Sequence, residues 1–395
     1  MKNFCDLKTT AFILFLTITI WGCGESSAHK PQAAPKDTIQ LLPPAGHLDS
    51  AEFKKYHNMV SEFVDNNLSE RYFNGGVLVA KNGVIVYERY TGFSNLKTKD
   101  SMTAETPLQV ASTGKTLTAA AVLKLVQEGK MNLNDLVTKF ILNFPYTDVT
   151  VKMLLNHRSG LPNYLYYMEE KGWDRNLPAT NEDVLRTLAE WKPNKAFTAG
   201  KRYNYCNTNY VVLASIIERV SGVPYPQYME DNFFDPLQMH HSFVKTIADT
   251  AVVYSYQPNG AFWTLDFSDG PYGDKNIYST PRDLLKWDQA LYHGKIISPA
   301  LLDSAFKPYS HEKAGTKNYG LGWHLLMLPN DKKVIYHNGR WHGFNSAFAR
   351  LTDEKVTIII AGNKYNPGVY RASKKMYNLF GPYDGRDVEQ EEDGG

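Results

Sequence analysis

Segments with the apolar pattern of β-strands stand near both ends of this sequence, and helical segments fill the middle. Two early runs, residues 77–80 and 84–87, flank Asn82-Gly83. That dipeptide suits the positive φ angles of a two-residue turn, so the pair reads as a β-hairpin. Strand runs return only late, at residues 333–336, 344–351 and 356–361. Between them, residues 117–126 and 211–220 are apolar over helical lengths, with Gly129 and Gly222 where each helix would stop. Phe53, Tyr56, Val60, Phe63 and Val64 recur at helical spacing ahead of the hairpin, and a last helix is expected over residues 370–380. The pattern predicts an α/β (α+β) fold: an antiparallel sheet flanked by helices, built from both chain ends, with a mostly helical subdomain inserted.

The ends of the chain read differently. Residues 1–22 carry Lys2 and Lys8 and then a ten-residue apolar run, 11–20, interrupted by Thr17 and Thr19. A helical span of a bilayer needs about 20 apolar residues, so the run fits a signal-peptide core instead. Ile20-Trp21-Gly22-Cys23 is similar to a bacterial lipobox, although Trp21 stands where a small residue is usual. The expectation is a lipoprotein signal peptide over 1–22 with Cys23 lipidated, plain secretion being the alternative. The protein would then be exported and held by its lipid on a bacterial membrane, facing the periplasm or the exterior. Residues 23–50 read as a flexible tether, 51–382 as the folded domain and 383–395 as an acidic, disordered tail. Of three cysteines, Cys5 leaves with the signal and Cys23 takes the lipid. Cys206 alone remains and cannot form an intrachain disulfide. A net charge of +2 with no basic stripe gives no case for nucleic acid.

Ser112-Thr113-Gly114-Lys115 has Ser and Lys three apart at the head of the apolar run that follows. Residues three apart share a helix face, so the Lys115 amine can lie beside the Ser112 hydroxyl. The same spacing recurs at Ser27, Ser94, Ser242, Ser304 and Ser310, none of them before such a run. The plain alternative is that Ser112 caps the helix. A capping box wants Glu or Gln where Lys115 stands, and a cation in the first turn opposes the helix dipole by about 0.3–1 kcal/mol. A buried lysine there would lose its proton readily and accept one from the serine. Tyr205-Cys206-Asn207 precedes the second helix, where Asn207 or Thr208 is open to reading as a cap. In a functional reading the Tyr205 phenol relays a proton and the Asn207 amide orients Lys115 and the substrate. His337-Asn338-Gly339 ends a late strand, and Gly339 would let a substrate lie close along the strand edge.

Taken in order, Ser112-x-x-Lys115, Tyr205-x-Asn207 and His337-x-Gly339 resemble the three active-site motifs of class C β-lactamases and related penicillin-binding proteins. Leu154-Leu155-Asn156-His157-Arg158-Ser159-Gly160-Leu161-Pro162, Asn276 through Leu284, and Tyr319-Gly320-Leu321-Gly322-Trp323 resemble flanking stretches of that family. The resemblance implies a Ser112 acyl-enzyme formed on an ester, a D-amino-acid peptide or a β-lactam. Lys115 and Tyr205 would share the proton transfers as a coupled pair, and Asn207, His337 and Gly339 would bind and orient the substrate. The Ser112 and Arg340 backbone N–H groups would form the oxyanion hole. The substrate would be a small molecule or a peptidoglycan peptide, and neither cofactor nor metal is implied. A non-catalytic module binding peptidoglycan peptides is the rival reading. The class C enzymes have Lys-Thr-Gly at the third motif, whereas an unperturbed His337 would be about a quarter charged at pH 7. That favours esterase or peptidase action over β-lactam hydrolysis, unless the Arg340 side chain supplies the cation. Tyr164, Tyr166 and Tyr167 are candidates to line an acyl pocket, and His157 with Ser159 reads as structural.

Overall fold

A computed structural model describes residues 45–68, 72–250 and 252–384. The early hairpin forms as its sequence requires: β1 (Gly75–Lys81) and β2 (Val84–Thr91) turn through Asn82 and Gly83, at φ 52° and 75°. The late strands are β3 (Lys317–Tyr319), β4 (His324–Met327), β5 (Lys333–Trp341), β6 (Phe344–Leu351) and β7 (Val356–Gly362). All seven join in one antiparallel sheet of order β2-β1-β7-β6-β5-β4-β3, with the N-terminal hairpin docked on the C-terminal strand β7. β6 and β7 are buried along their whole length, as the central position of a sheet covered on both faces demands.

Alternation along the strands sorts side chains into two cores. Val77, Val79, Val334, Ala347, Ala349, Ile358 and Ile360 pack under α1 (Ser50–Asn67) and the helix Gly368–Met376. Leu78, Ala80, Ile335, Phe348 and Ile359 face the larger core. That core belongs to α2 (Lys115–Gln127), α3 (Asn181–Trp191), α4 (Thr208–Ser221) and α5 (Pro281–Tyr292), with Gly368–Met376 becoming α6. Gly129 and Gly222, at φ 70° and 78°, stand just past the ends of α2 and α4. No described helix is long and apolar enough to cross a membrane.

Packed residues lie just outside the expected 51–382 domain at both ends. Gly46 donates its backbone N–H to the Asn82 carbonyl and Leu48 packs on the outer core, so the ordered chain starts inside the expected tether. At the other end Tyr383 is buried and its phenol bonds Glu354, because an aromatic ring that close to the core gains more from packing than from water. Residues 1–44, with Cys23, and 385–395 lie outside the described residues.

One tie between helix and sheet carried no sequence signal. Arg350 of β6 and Asp288 of α5, both fully buried, pair at 2.5 Å, and Thr357 of β7 donates to the second Asp288 oxygen. Removing one partner of a buried pair strands the other charge. Arg350→Ala is therefore expected to cost about 3–5 kcal/mol, read by urea unfolding, and Arg350→Lys to recover only part of it.

Candidate active site

The first motif is not on a regular helix. Ala111–Gly114 forms a 3-10 turn that leads into α2 at Lys115. Ala111 holds a left-handed φ of 47°, a strained conformation for a residue with a Cβ. The turn is buried except at Ser112, which is partly open to solvent. Two contacts fix it to the sheet. The Thr113 hydroxyl reaches the His337 carbonyl at 3.1 Å, and Ser346 donates to the Val110 carbonyl at 2.7 Å. A third comes from a small sheet, in which Leu108–Gln109 pairs with Ile277–Ser279 and Val110 donates to the Ile277 carbonyl. That pairing brings residues 274–276 alongside Lys115.

Lys115 is wholly buried, and its amine lies 2.9 Å from Ser112 Oγ, 2.8 Å from Asn207 Oδ1 and 2.7 Å from the Asp274 carbonyl. Burial lowers its pKa to about 7, against the pull of Asp274 and with the push of Lys275. Near neutral pH a large share of the amine is therefore free to take a proton. Asn207 sits at the N-cap of α4 but makes no cap bond, since its side chain has turned to Lys115. Thr208 spends its hydroxyl on the Pro162 carbonyl. Neither residue caps α4 in the usual way, so the plain reading of this motif fails.

Tyr205 is half-buried, with its phenol close to Ser112 and its ring centre 5.0 Å from the Lys115 amine. Burial pushes the phenol far above its ordinary pKa. At neutral pH Tyr205 is thus a proton donor at rest, and the base of the pair is Lys115. Beneath it lies His157, ring centres 4.2 Å apart. His157 Nδ1 accepts from the Cys206 backbone N–H at 3.1 Å and from the Asn209 amide at 3.0 Å, which puts its proton on Nε2. Ser159 bonds Asn209 instead of His157, as the structural reading of that segment expects. His157 still bears on the site, because it holds the backbone between Tyr205 and Asn207.

The third motif lies on β5 beside the turn. β4 pairs with β5 only through Tyr336, so from His337 onward this edge has no β4 partner. An added Cβ on Gly339 would fall 2.1 Å from the Val110 carbonyl and 3.0 Å from the Ser112 nitrogen, so only glycine allows this approach. His337 is buried and held on both nitrogens. Nδ1 donates to the Asn338 carbonyl at 2.7 Å, and Nε2 accepts from Tyr319 at 3.1 Å. Burial, with His324 and Lys115 nearby, drives its pKa well down, so the ring is neutral. Arg340 does not replace the missing cation. Residues 334 and 336 of β5 face the α1 and α6 side, and alternation puts 340 there too, with its guanidinium 4.9 Å from the Tyr365 ring.

The tyrosines divide. Tyr164 is buried and its phenol donates to Asp274 at 3.1 Å, Tyr167 turns away to Thr187 and the Val184 carbonyl, and Tyr166 is exposed. The sequence reading missed Asp274 and Lys275, a fully buried ion pair at 3.1 Å set against Tyr164 and the Trp341 indole. Among the described residues no group of three or more His, Cys, Asp or Glu side chains is placed to hold a metal.

A family model described as Beta-lactamase matches residues 58–381. The chain belongs to the Beta-lactamase family. It is 32% identical to penicillin-binding protein 4* of Bacillus subtilis over 341 residues, 80% of this chain and 75% of the relative. It is 31% identical to a teichoic acid D-alanine hydrolase of Staphylococcus aureus, over 80% of this chain and 76% of the relative. Among solved structures, a penicillin-binding protein from Bacillus halodurans superposes with a TM-score of 0.72 at 21% identity, over 81% of this chain and 99% of that one. The family member described here is a serine hydrolase with the penicillin-binding-protein fold.

Proposed function

We propose that this protein hydrolyses D-aminoacyl esters or amides through an acyl-enzyme on Ser112. Lys115 takes the Ser112 proton as Oγ bonds the acyl carbon, and the carbonyl oxygen becomes an oxyanion held by the Ser112 and Arg340 backbone N–H groups. Tyr205 donates to the leaving oxygen or nitrogen as its bond to carbon breaks, and recovers a proton from Lys115. Water then attacks the acyl-enzyme with the same groups in reverse. Asn207 orients the Lys115 amine and the substrate, while His337 and Gly339 shape the strand edge on which the acyl group lies.

The observation that carries the substrate class is the uncharged third motif. His337 has both nitrogens engaged and is neutral, and the Arg340 guanidinium lies on the far side of the sheet. A penicillin carboxylate would meet no counter-charge there, whereas a D-aminoacyl donor brings no carboxylate. The likeness to a D-alanine hydrolase supports the same choice. We also propose that Cys23 carries a lipid that keeps the enzyme on the outer side of a bacterial membrane, to be tested by mass spectrometry of the processed N-terminus.

The test compares kcat/KM for a D-alanyl ester, its L enantiomer and a penicillin, with intact mass and a fluorophosphonate label reporting on Ser112. The expected order is D-alanyl over L-alanyl by at least about tenfold, and both over penicillin. Faster acylation by penicillin would reverse the substrate assignment. A Ser112 that no reagent labels would leave the non-catalytic, peptide-binding reading in its place.

A further inference from the structure

Lys115 is surrounded by groups that titrate, and most of them are neutral at pH 7. From the loop before α4 come Tyr205, its phenol pushed far up by burial, and Cys206, its thiol pushed up to about 11. Tyr210 of α4, ring centre 5.6 Å from the amine, is likewise pushed up. His157 before the Tyr164 segment, His324 of β4 and His337 of β5 are all driven down by burial. What remains is the ion pair of Asp274 and Lys275.

These two residues are poised in opposition. Asp274 accepts the Lys115 amine on its backbone carbonyl, so its carboxylate is within a few bonds of that amine. One carboxylate oxygen, Oδ2, takes the Lys275 amine at 3.1 Å and the Tyr164 hydroxyl at 3.1 Å. The other, Oδ1, is buried with no hydrogen-bond partner. Lys275 also bonds the Tyr164 phenol and lies 4.4 Å from the Trp341 ring centre. Trp341 is anchored in turn, its indole N–H on Asp269 at 2.7 Å. A buried carboxylate next to a buried amine would favour the ammonium form of that amine, and an ammonium cannot act as base.

We propose that Lys275 is a positioning residue for the base: by engaging the Asp274 carboxylate it leaves the Lys115 amine free to accept the Ser112 proton. Lys275 is buried beneath Trp341 and acts through Asp274, without touching Ser112. The inference rests on Ser112 and Lys115 being nucleophile and base, and is independent of the D-aminoacyl substrate.

The experiment is the rate of Ser112 labelling by a fluorophosphonate between pH 5 and 10, for the full chain and its variants. Lys275→Met should move the acid limb up by at least about one pH unit, slowing labelling about tenfold at pH 6–7 and recovering at high pH. Asp274→Asn should move it down. The double variant should return near the wild type, and Lys275→Arg should stay close to it. If Lys275→Met is too unstable to assay, the Asp274→Asn shift and the double variant decide the matter. A limb that stays in place while labelling falls equally at every pH would overturn the inference. So would shifts of the same sign in Lys275→Met and Asp274→Asn. A wild type that never labels would fail the Ser112 reading first, and this inference with it.

Discussion

Lys115→Met should give a protein that folds and acylates about 10²- to 10⁴-fold more slowly, the range a general base contributes. The amine is the group at rest nearest to Ser112 Oγ that can take its proton, and Tyr205, held protonated by burial, cannot stand in. In the wild type, kcat/KM for a neutral ester should climb with pH through about 7 as Lys115 loses its proton, and that limb should vanish in the variant. Stability separates lost chemistry from lost fold. Lys115 titrates near 7 in the fold and near 10.4 in an unfolded chain, so between about pH 7 and 10 the unfolded state binds the extra proton. Holding the amine in place thus costs on the order of 4 kcal/mol at pH 7, and the wild type should gain stability as pH rises from 7 to 10. Methionine removes that cost and forfeits three hydrogen bonds worth about 1 kcal/mol each. The two sums are similar, so unfolding midpoints at pH 7 should stay close. A variant that unfolds early, or one that acylates at the wild-type rate, would remove Lys115 from the role of base.

The sequence made five of the seven strands of the sheet and the first two motifs legible because each rests on local pattern. Strand alternation, Asn82-Gly83 and a Ser-x-x-Lys before an apolar run are short-range signals, and the motif order supplied the rest. The strands at Leu108–Gln109 and Ile277–Ser279 are too short to leave a periodicity, although they carry residues 274–276 to Lys115. Asp274 and Lys275 consequently carried no signal of their own in the sequence. His157 could not be read as the floor under Tyr205 either, since that contact joins segments 48 residues apart (205 less 157). Arg340 was different, for the information was there. Period-two alternation from Val334 puts residue 340 opposite His337 and Gly339, and it argues against the cation role without any coordinates.

Gly339→Ala should fold and lose at least about 10²-fold in acylation. The glycine is not required for its φ, which is ordinary, but for room. The new methyl would overlap the Val110 carbonyl at 2.1 Å and Ser346 Oγ at 2.5 Å, and would crowd the Ser112 nitrogen at 3.0 Å. The Ser346 hydroxyl can rotate away, whereas the Val110 carbonyl is backbone that already accepts from Ser346 and Thr113, and the Ser112 nitrogen is backbone fixed by the same turn. Relief must come from moving β5 off the 3-10 turn. That shift separates the Ser112 and Arg340 N–H groups, and a displacement of about 1 Å is enough to cost about 10²-fold. Overpacking of this kind costs about 1–3 kcal/mol, which a core spanning both faces of a seven-stranded sheet tolerates. Fluorophosphonate labelling and ester turnover should fall together, because both need the same oxyanion site. If turnover falls while labelling persists, the strand edge binds substrate without shaping the oxyanion hole, and the role proposed for the Arg340 amide is lost.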